Sequence, residues 1–220
     1  MKILKIENLK KVYGKGEAEV IAVNDVSFEV EEGEFVAIIG PSGSGKTTIL
    51  HMIAGLEKPT AGKIYFYGKD MYEMNKRDLT ILRRQKIGII YQFYNLISTL
   101  NVEENITLPI ELDKKKVNRE KLDKIIKFLN IDNRKKHLPN EISGGQQQKV
   151  AIGRALIIDP NIILADEPTG NLDSNSSEEI IQLFKKINKE YHQTIIMITH
   201  NLEIAKQADK IIQIKDGKII

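Results

Sequence analysis

Three short runs in this 220-residue chain combine residue types that can handle phosphate. The first is Gly40-Pro41-Ser42-Gly43-Ser44-Gly45-Lys46-Thr47, followed by Thr48. Its spacing, Gly-x-x-x-x-Gly-Lys-Thr, matches the phosphate-loop pattern. Glycines let such a loop curl so that backbone N–H groups point inward at phosphate oxygens. A helix beginning at the end of the loop adds free N–H groups and the positive end of its dipole. Lys46 supplies a full positive charge for the β- and γ-phosphates, and the Thr47 hydroxyl is a hard oxygen ligand suited to Mg²⁺. The loop alone specifies a nucleoside triphosphate and no particular base.

The second run is Asp166-Glu167, directly after the apolar Ile162-Ile163-Leu164-Ala165. In an open α/β sheet, ligands bind at the carboxyl ends of the strands. Two carboxylates there can divide the work: Asp166 holds the Mg²⁺ shell, and Glu167 orients or deprotonates an attacking water. The third run is Ser143-Gly144-Gly145, ahead of an apolar helix expected over residues 150–157. A small-residue turn at a helix N-terminus is a second anion site. One phosphate loop serves one nucleotide, so two anion sites per chain suggest a head-to-tail pair of chains with two nucleotides between them, a two-fold dimer.

The elements that must carry these runs follow from apolar patterning. Strands are expected at 3–8, 26–30, 35–39, 62–66, 87–91, 162–165, 194–198 and 210–214. The continuously apolar runs at 35–39, 162–165 and 195–198 suit strands covered on both faces, hence a parallel α/β sheet. Helices are expected at 47–54, ending at Gly55 with Pro59 beyond, and at 178–189, where Ile180, Leu183, Phe184 and Ile187 share a face. From about 101 to 155 the pattern is helical, without a strand run.

Composition narrows the partners. The net charge is +3, too small to argue for nucleic acid, and there are no cysteines, which excludes disulfides and thiolate metal sites. No apolar run approaches the roughly 20 residues of a membrane-spanning helix, and the N-terminus lacks the apolar block of a signal peptide. The expectation is a cytoplasmic chain able to dock on a membrane protein. Between residues 111 and 137, ten Lys or Arg face five Asp or Glu. That stretch is either a solvated helical face or a surface near anionic lipid headgroups.

Ile142-Ser143-Gly144-Gly145-Gln146-Gln147-Gln148, upstream of Asp166-Glu167, resembles the signature motif of ABC-type ATPases, and the resemblance covers essentially the whole chain. It implies a P-loop NTPase (RecA-like) α/β core with a mostly parallel sheet, an N-terminal antiparallel β portion and an inserted helical subdomain. One ATPase domain would span 1–220, with its core at about 1–92 and 156–220 and the helical part at about 93–155. The cofactors implied are ATP and Mg²⁺, with hydrolysis.

Further roles come by resemblance. Tyr13 would stack on adenine, although Tyr65, Tyr67 and Tyr72 are other aromatics. Gln92 would touch Mg²⁺ and water and move with the transport partner. Asn171-Leu172-Asp173 would communicate across the dimer. His200 would contact the γ-phosphate. Ser143, Gly144, Gly145 and Gln146, with Asp173, would act in trans on ATP held by the other chain. Departures are small: Ile142 stands where the family usually has Leu, Lys149 where many relatives have Arg, and Gly153 where Ala is common, which would loosen that helix.

The segments 33–41, Asn95-Leu96, 104–109 and 165–173 resemble the branch serving macrolide export, lipoprotein release and antimicrobial-peptide resistance. In that branch the ATPase works at the inner face of the cell membrane with a permease, which here would be a separate integral membrane chain. Phe93, Tyr94 and Leu96 are candidates for a hydrophobic socket that meets it. The same engine could instead gate a membrane partner for sensing or cell-wall control without moving a solute. Family members acting on ribosomes or DNA usually carry two such domains or a long coiled coil, and neither is present.

Overall fold

The computed structural model describes residues 1–220, the side chain of Glu17 excepted. Ten strands form two sheets. An antiparallel sheet, ordered β2-β1-β4-β5, comprises β1 (Lys2–Tyr13), β2 (Val20–Glu31), β4 (Ala61–Phe66) and β5 (Lys69–Asp70). The second sheet, ordered β10-β9-β3-β8-β7-β6, comprises β3 (Phe35–Ile39), β6 (Ile87–Ile90), β7 (Ile162–Asp166), β8 (Thr194–Ile198), β9 (Lys210–Lys215) and β10 (Lys218–Ile219). Every pair within it is parallel except the hairpin of β9 with β10.

The three uninterrupted apolar runs are β3, β7 and β8, and their side chains alternate between two cores. Ile162 and Leu164 face a cluster that includes β1, β2, β4 and helix α1 (Lys46–Ile53). Ile163 and Ala165 face a cluster built from helices α3 (Val102–Leu112), α4 (Arg119–Phe128), α5 (Gly144–Leu156) and α6 (Ser174–Tyr191). Each fully buried Ile or Leu in these layers contributes about 1.5–3 kcal/mol of hydrophobic stabilisation.

The expected strands all form. β1 and β2 each run to 12 residues, because paired antiparallel strands continue through polar, half-exposed positions that carry no apolar signal. β5 and β10, two residues each, are too short to leave a pattern. Helix α2 (Lys76–Lys86) was not anticipated and buries none of its residues; the Asn75 side chain caps it by accepting from Asp78 N. α5 begins at Gly144, not near 150, because Ser143 and Gln146 close a capping box around a first turn with no apolar periodicity. Gly153 in this helix makes room for its neighbours. A Cβ there would lie 2.9 Å from Leu129 Cδ1 and 3.1 Å from Ile106 Cδ1, so glycine permits close packing of the side chains of 106 and 129. Lys149 pairs with Glu179, 3.0 Å away, tying α5 to α6.

Asn105 on α3 is fully buried and organises the loop before it. Its Oδ1 accepts from Ile97 N, and its Nδ2 donates to the carbonyls of Ile97, Leu100 and Asn101. Asn105→Leu leaves Ile97 N and the Leu100 carbonyl without partners, while the Ile97 and Asn101 carbonyls keep the N–H groups of Leu100 and residue 105, and is expected to destabilise the chain by about 2–4 kcal/mol. Urea unfolding checks this; a midpoint equal to wild type would contradict it.

Candidate functional site

Parallel pairing puts the carboxyl ends of β3, β8, β7 and β6 along one edge, in that order. The phosphate loop leaves β3, His200 follows β8, Asp166-Glu167 ends β7 and Gln92 follows β6. Strand register thus gathers residues up to 160 positions apart, Gly40 to His200, at one edge.

Two glycines fix the loop against its surroundings. Gly40 has φ 152° and Gly45 φ 99°; a Cβ would sit 1.9 Å from Ile214 O at the first and 2.1 Å from Ala22 O at the second. Gly43, at φ 76°, faces open space where a ligand can approach. The loop is also pinned by Gly217 N donating to Ser44 O at 3.1 Å. Gly45 offers no side-chain cap to α1, so the first N–H groups of that helix remain free for an anion. Lys46 is buried, and its Nζ donates to the carbonyls of Gly40 (2.9 Å) and Pro41 (2.7 Å). Burial pulls its pKa down, while Glu167 and Asp166 push it back up. An ammonium held only by neutral carbonyls and distant carboxylates is well placed to turn to phosphate oxygens.

Thr47 Oγ1 donates to Asp166 Oδ1 at 3.3 Å. Burial pushes the Asp166 carboxyl above its usual range, although Thr47, His51 and Lys46 oppose this. A dehydrated carboxylate beside a hydroxyl lacks a full positive partner, and two hard oxygens suit Mg²⁺. Among the described residues no three His, Cys, Asp or Glu gather into a cage. The pair therefore fits an ion that takes most of its ligands from phosphate and water. Glu167 sits in the left-handed region at φ 45°, with its N–H on Ile198 O. Its Oε2 shares a 2.7 Å hydrogen bond with His200 Nδ1. The His200 side chain is 68% exposed against 24% for Glu167, so the histidine can leave at small cost.

Tyr13 is the last residue of β1 and is exposed, as a stacking platform requires. Its hydroxyl donates to Glu57 Oε2 at 2.6 Å, Lys11 Nζ lies 5.0 Å from its ring, and it neighbours Thr48 beyond the phosphate loop. Tyr72 and Tyr67 are committed elsewhere: Tyr72 donates to Met52 O and Glu57 O, and Tyr67 to Glu32.

The remaining expected residues form a separate group. Gln92 Nε2 donates to Asn171 Oδ1 at 3.4 Å, and Asn171 Nδ2 donates to Gln92 O at 3.1 Å, so Gln92 contacts the loop after β7 rather than Thr47 or Asp166. Ser143 Oγ accepts from Gln146 N, and Gln146 Oε1 accepts from Ser143 N. Asp173 caps α6, and hydrogen bonds from the Ser176 backbone and hydroxyl hold its carboxyl below the usual range. Among the described residues, no hydrogen bond joins Ser143, Gly144, Gly145, Gln146 or Asp173 to the phosphate loop.

The socket of Phe93, Tyr94 and Leu96 does not form as a unit. Phe93 is 74% exposed, Leu96 packs on the helical core, and Tyr94 turns to Asn171. Six of the ten bases in the basic stretch, Lys115, Arg119, Lys121, Lys124, Lys135 and Lys136, each pair with a carboxylate, which favours the solvated face. Two neighbours escaped the sequence reading. Glu57 has no local signal. Arg154 has one, a lone charge in the apolar stretch 150–157.

Because burial penalises the Asp166 carboxylate, Asp166→Asn is expected to raise the thermal midpoint of the nucleotide-free chain by a few degrees near neutral pH. It should also abolish the stabilisation that Mg²⁺ adds to nucleotide binding. Scanning calorimetry with and without Mg²⁺ and nucleotide measures both, and a lower midpoint without ligand would contradict the desolvation argument.

A family model described as ABC transporter matches residues 23–170. The macrolide export ATP-binding/permease protein MacB of Mannheimia succiniciproducens is 45% identical over 222 residues, covering 100% of this chain and 34% of that protein. The lipoprotein-releasing system ATP-binding protein LolD of Wigglesworthia glossinidia brevipalpis is 40% identical over 221 residues, covering 100% of this chain and 96% of that protein. Among solved structures, the dimeric post-hydrolysis state of an ATP-binding cassette bound to ADP and Pi superposes with TM-score 0.89 at 41% identity, covering 98% of this chain and 96% of that one. With the phosphate loop, the paired carboxylates and the capped signature turn in place on this fold, the chain belongs to the ABC transporter family as an ATP-binding ATPase domain.

Proposed function

We propose that the chain is the Mg²⁺-dependent ATPase subunit of a membrane exporter of peptides, lipoproteins or drugs, driven by ATP-induced pairing of two copies. The observation that carries this reading is a divided site. Lys46, Thr47, Asp166, Glu167 and His200 converge at one sheet edge, while the second anion site, Ser143 to Gly145, makes no hydrogen bond to it within the chain. A second copy in head-to-tail orientation brings its own Ser143 turn to the γ-phosphate. The dimeric ADP-bound relative supports this arrangement.

In this scheme Lys46 exchanges the carbonyls of Gly40 and Pro41 for phosphate oxygens. Thr47 and Asp166 would hold Mg²⁺, joined by Gln92 once its side chain leaves Asn171, and the ion would neutralise charge developing on the transferring phosphoryl group. Tyr13 stacks on adenine, and loop 40–48 cradles the phosphates. Glu167 orients the attacking water as His200 moves from its carboxylate to the γ-phosphate. Positioning and electrostatics supply most of the acceleration. The helical subdomain, about residues 93–155, with Phe93 as an exposed apolar knob, meets a permease on a separate chain at the inner membrane face. LolD and MacB support export as the task. No helix among the described residues is long and apolar enough to cross a membrane.

Glu167→Gln is expected to bind ATP, lose at least about 100-fold in turnover and accumulate as an ATP-bound dimer. Light scattering and phosphate release test this; wild-type turnover removes Glu167 from the chemistry. Lys46→Ala is expected to lose nucleotide binding or turnover, checked by calorimetric titration. When dilute, wild-type turnover should rise faster than linearly with protein concentration, and strict linearity counts against the shared site. ATP turnover with a reconstituted permease but no solute movement would favour a gating role over export.

A further inference from the structure

Residues 93–95 form an unusual junction. Tyr94 and Asn95 are consecutive non-glycine residues in the left-handed region, at φ 58° and 48°. Asparagine tolerates that region; tyrosine does so at a cost. A single side chain secures both. Arg154 Nη2 donates to Tyr94 O and Nη1 to Asn95 O, each at 2.7 Å. Arg154 makes no ion pair among the described residues, so its planar fork is spent on this backbone.

The junction directs the Tyr94 ring across to two other parts of the machinery. The Tyr94 hydroxyl donates to Asn171 O at 3.3 Å, in the loop leading to Asp173. It also lies against Gly144, where a Cβ would come within 2.9 Å of the hydroxyl oxygen. One phenol therefore touches the loop after β7 and the first turn of α5. Those are the two segments that, under the proposed function, must meet the second chain. Meanwhile Phe93, the preceding residue, is exposed.

We propose that Tyr94 is a positioning residue that holds the Asn171–Asp173 loop and the Gly144 turn in the separated arrangement of the single chain, with Arg154 as the clamp that keeps it there. Pairing of two chains requires the Tyr94 hydroxyl to release the Asn171 carbonyl. The inference rests on ATP-driven pairing.

Its test uses the full chain carrying Glu167→Gln, titrated with ATP and Mg²⁺ while dimer is followed by light scattering. Adding Tyr94→Phe removes one hydroxyl from each of two chains and keeps the ring. The ATP midpoint for pairing is expected to fall by about three- to ten-fold, the size of one modest hydrogen bond per chain. Arg154→Lys keeps the charge and loses the fork; its shift should have the same sign. The Tyr94→Phe/Arg154→Lys pair should shift less than the sum of the two, since both act on one element. ADP affinity, set by the phosphate loop, should stay within about two-fold. An unchanged or raised midpoint for Tyr94→Phe overturns the proposal, as does additivity of the pair or weakened ADP binding. If Glu167→Gln alone fails to pair with ATP, it is the pairing mechanism of the proposed function that fails.

Discussion

Burial of four parallel strands on both faces is the constraint from which the site follows. β3, β8, β7 and β6 sit between two apolar layers, so their polar ends can emerge only at the edges. Parallel pairing sends every carboxyl end to the same edge. A shift of one residue in the register of β7 would turn Ile163 and Ala165 toward the wrong layer. The hydrophobic core thereby fixes where Thr47, Asp166, Glu167 and His200 stand relative to one another, with no need for long-range polar contacts.

Within that frame each polar group of the site is met by a partner from the chain itself. Lys46 rests on two carbonyls, Asp166 on the Thr47 hydroxyl, Glu167 on His200, Ser143 on its own capping box and Gln92 on Asn171. These contacts are modest ones, mostly neutral or exposed, each worth about 1 kcal/mol or less net. The exception in kind is the junction at Tyr94 and Asn95, where an unfavourable backbone conformation is offset by the Arg154 fork. There the Tyr94 side chain joins the loop after β6 to the loop after β7 and to the start of α5.

Much of the fold and site was legible in the order of residues. Gly40 to Thr47, Ile162 to Glu167 and Ser143 to Gly145 declare themselves because each needs special backbone freedom, charge or apolarity at fixed local spacing. Elements lacking such a signal were missed. α2 is mostly polar and carries only Leu79, Ile81 and Leu82 as apolar residues, the first turn of α5 is Gly- and Gln-rich, and β5 and β10 are too short for a period to register.

What the sequence determined by itself is therefore local: a glycine-rich loop of the phosphate-loop pattern, a pair of carboxylates at a strand end, a small-residue turn ahead of a helix and strands covered on both sides. The tertiary structure decided which of these groups touch. It placed Glu167 on His200, turned Gln92 to Asn171 and split Phe93 from Tyr94 and Leu96. The physical reason is range. Loop curvature, caps and apolar period act over a few residues, whereas these contacts join positions 33, 79 or more residues apart, brought together only when sheet register and helix packing close.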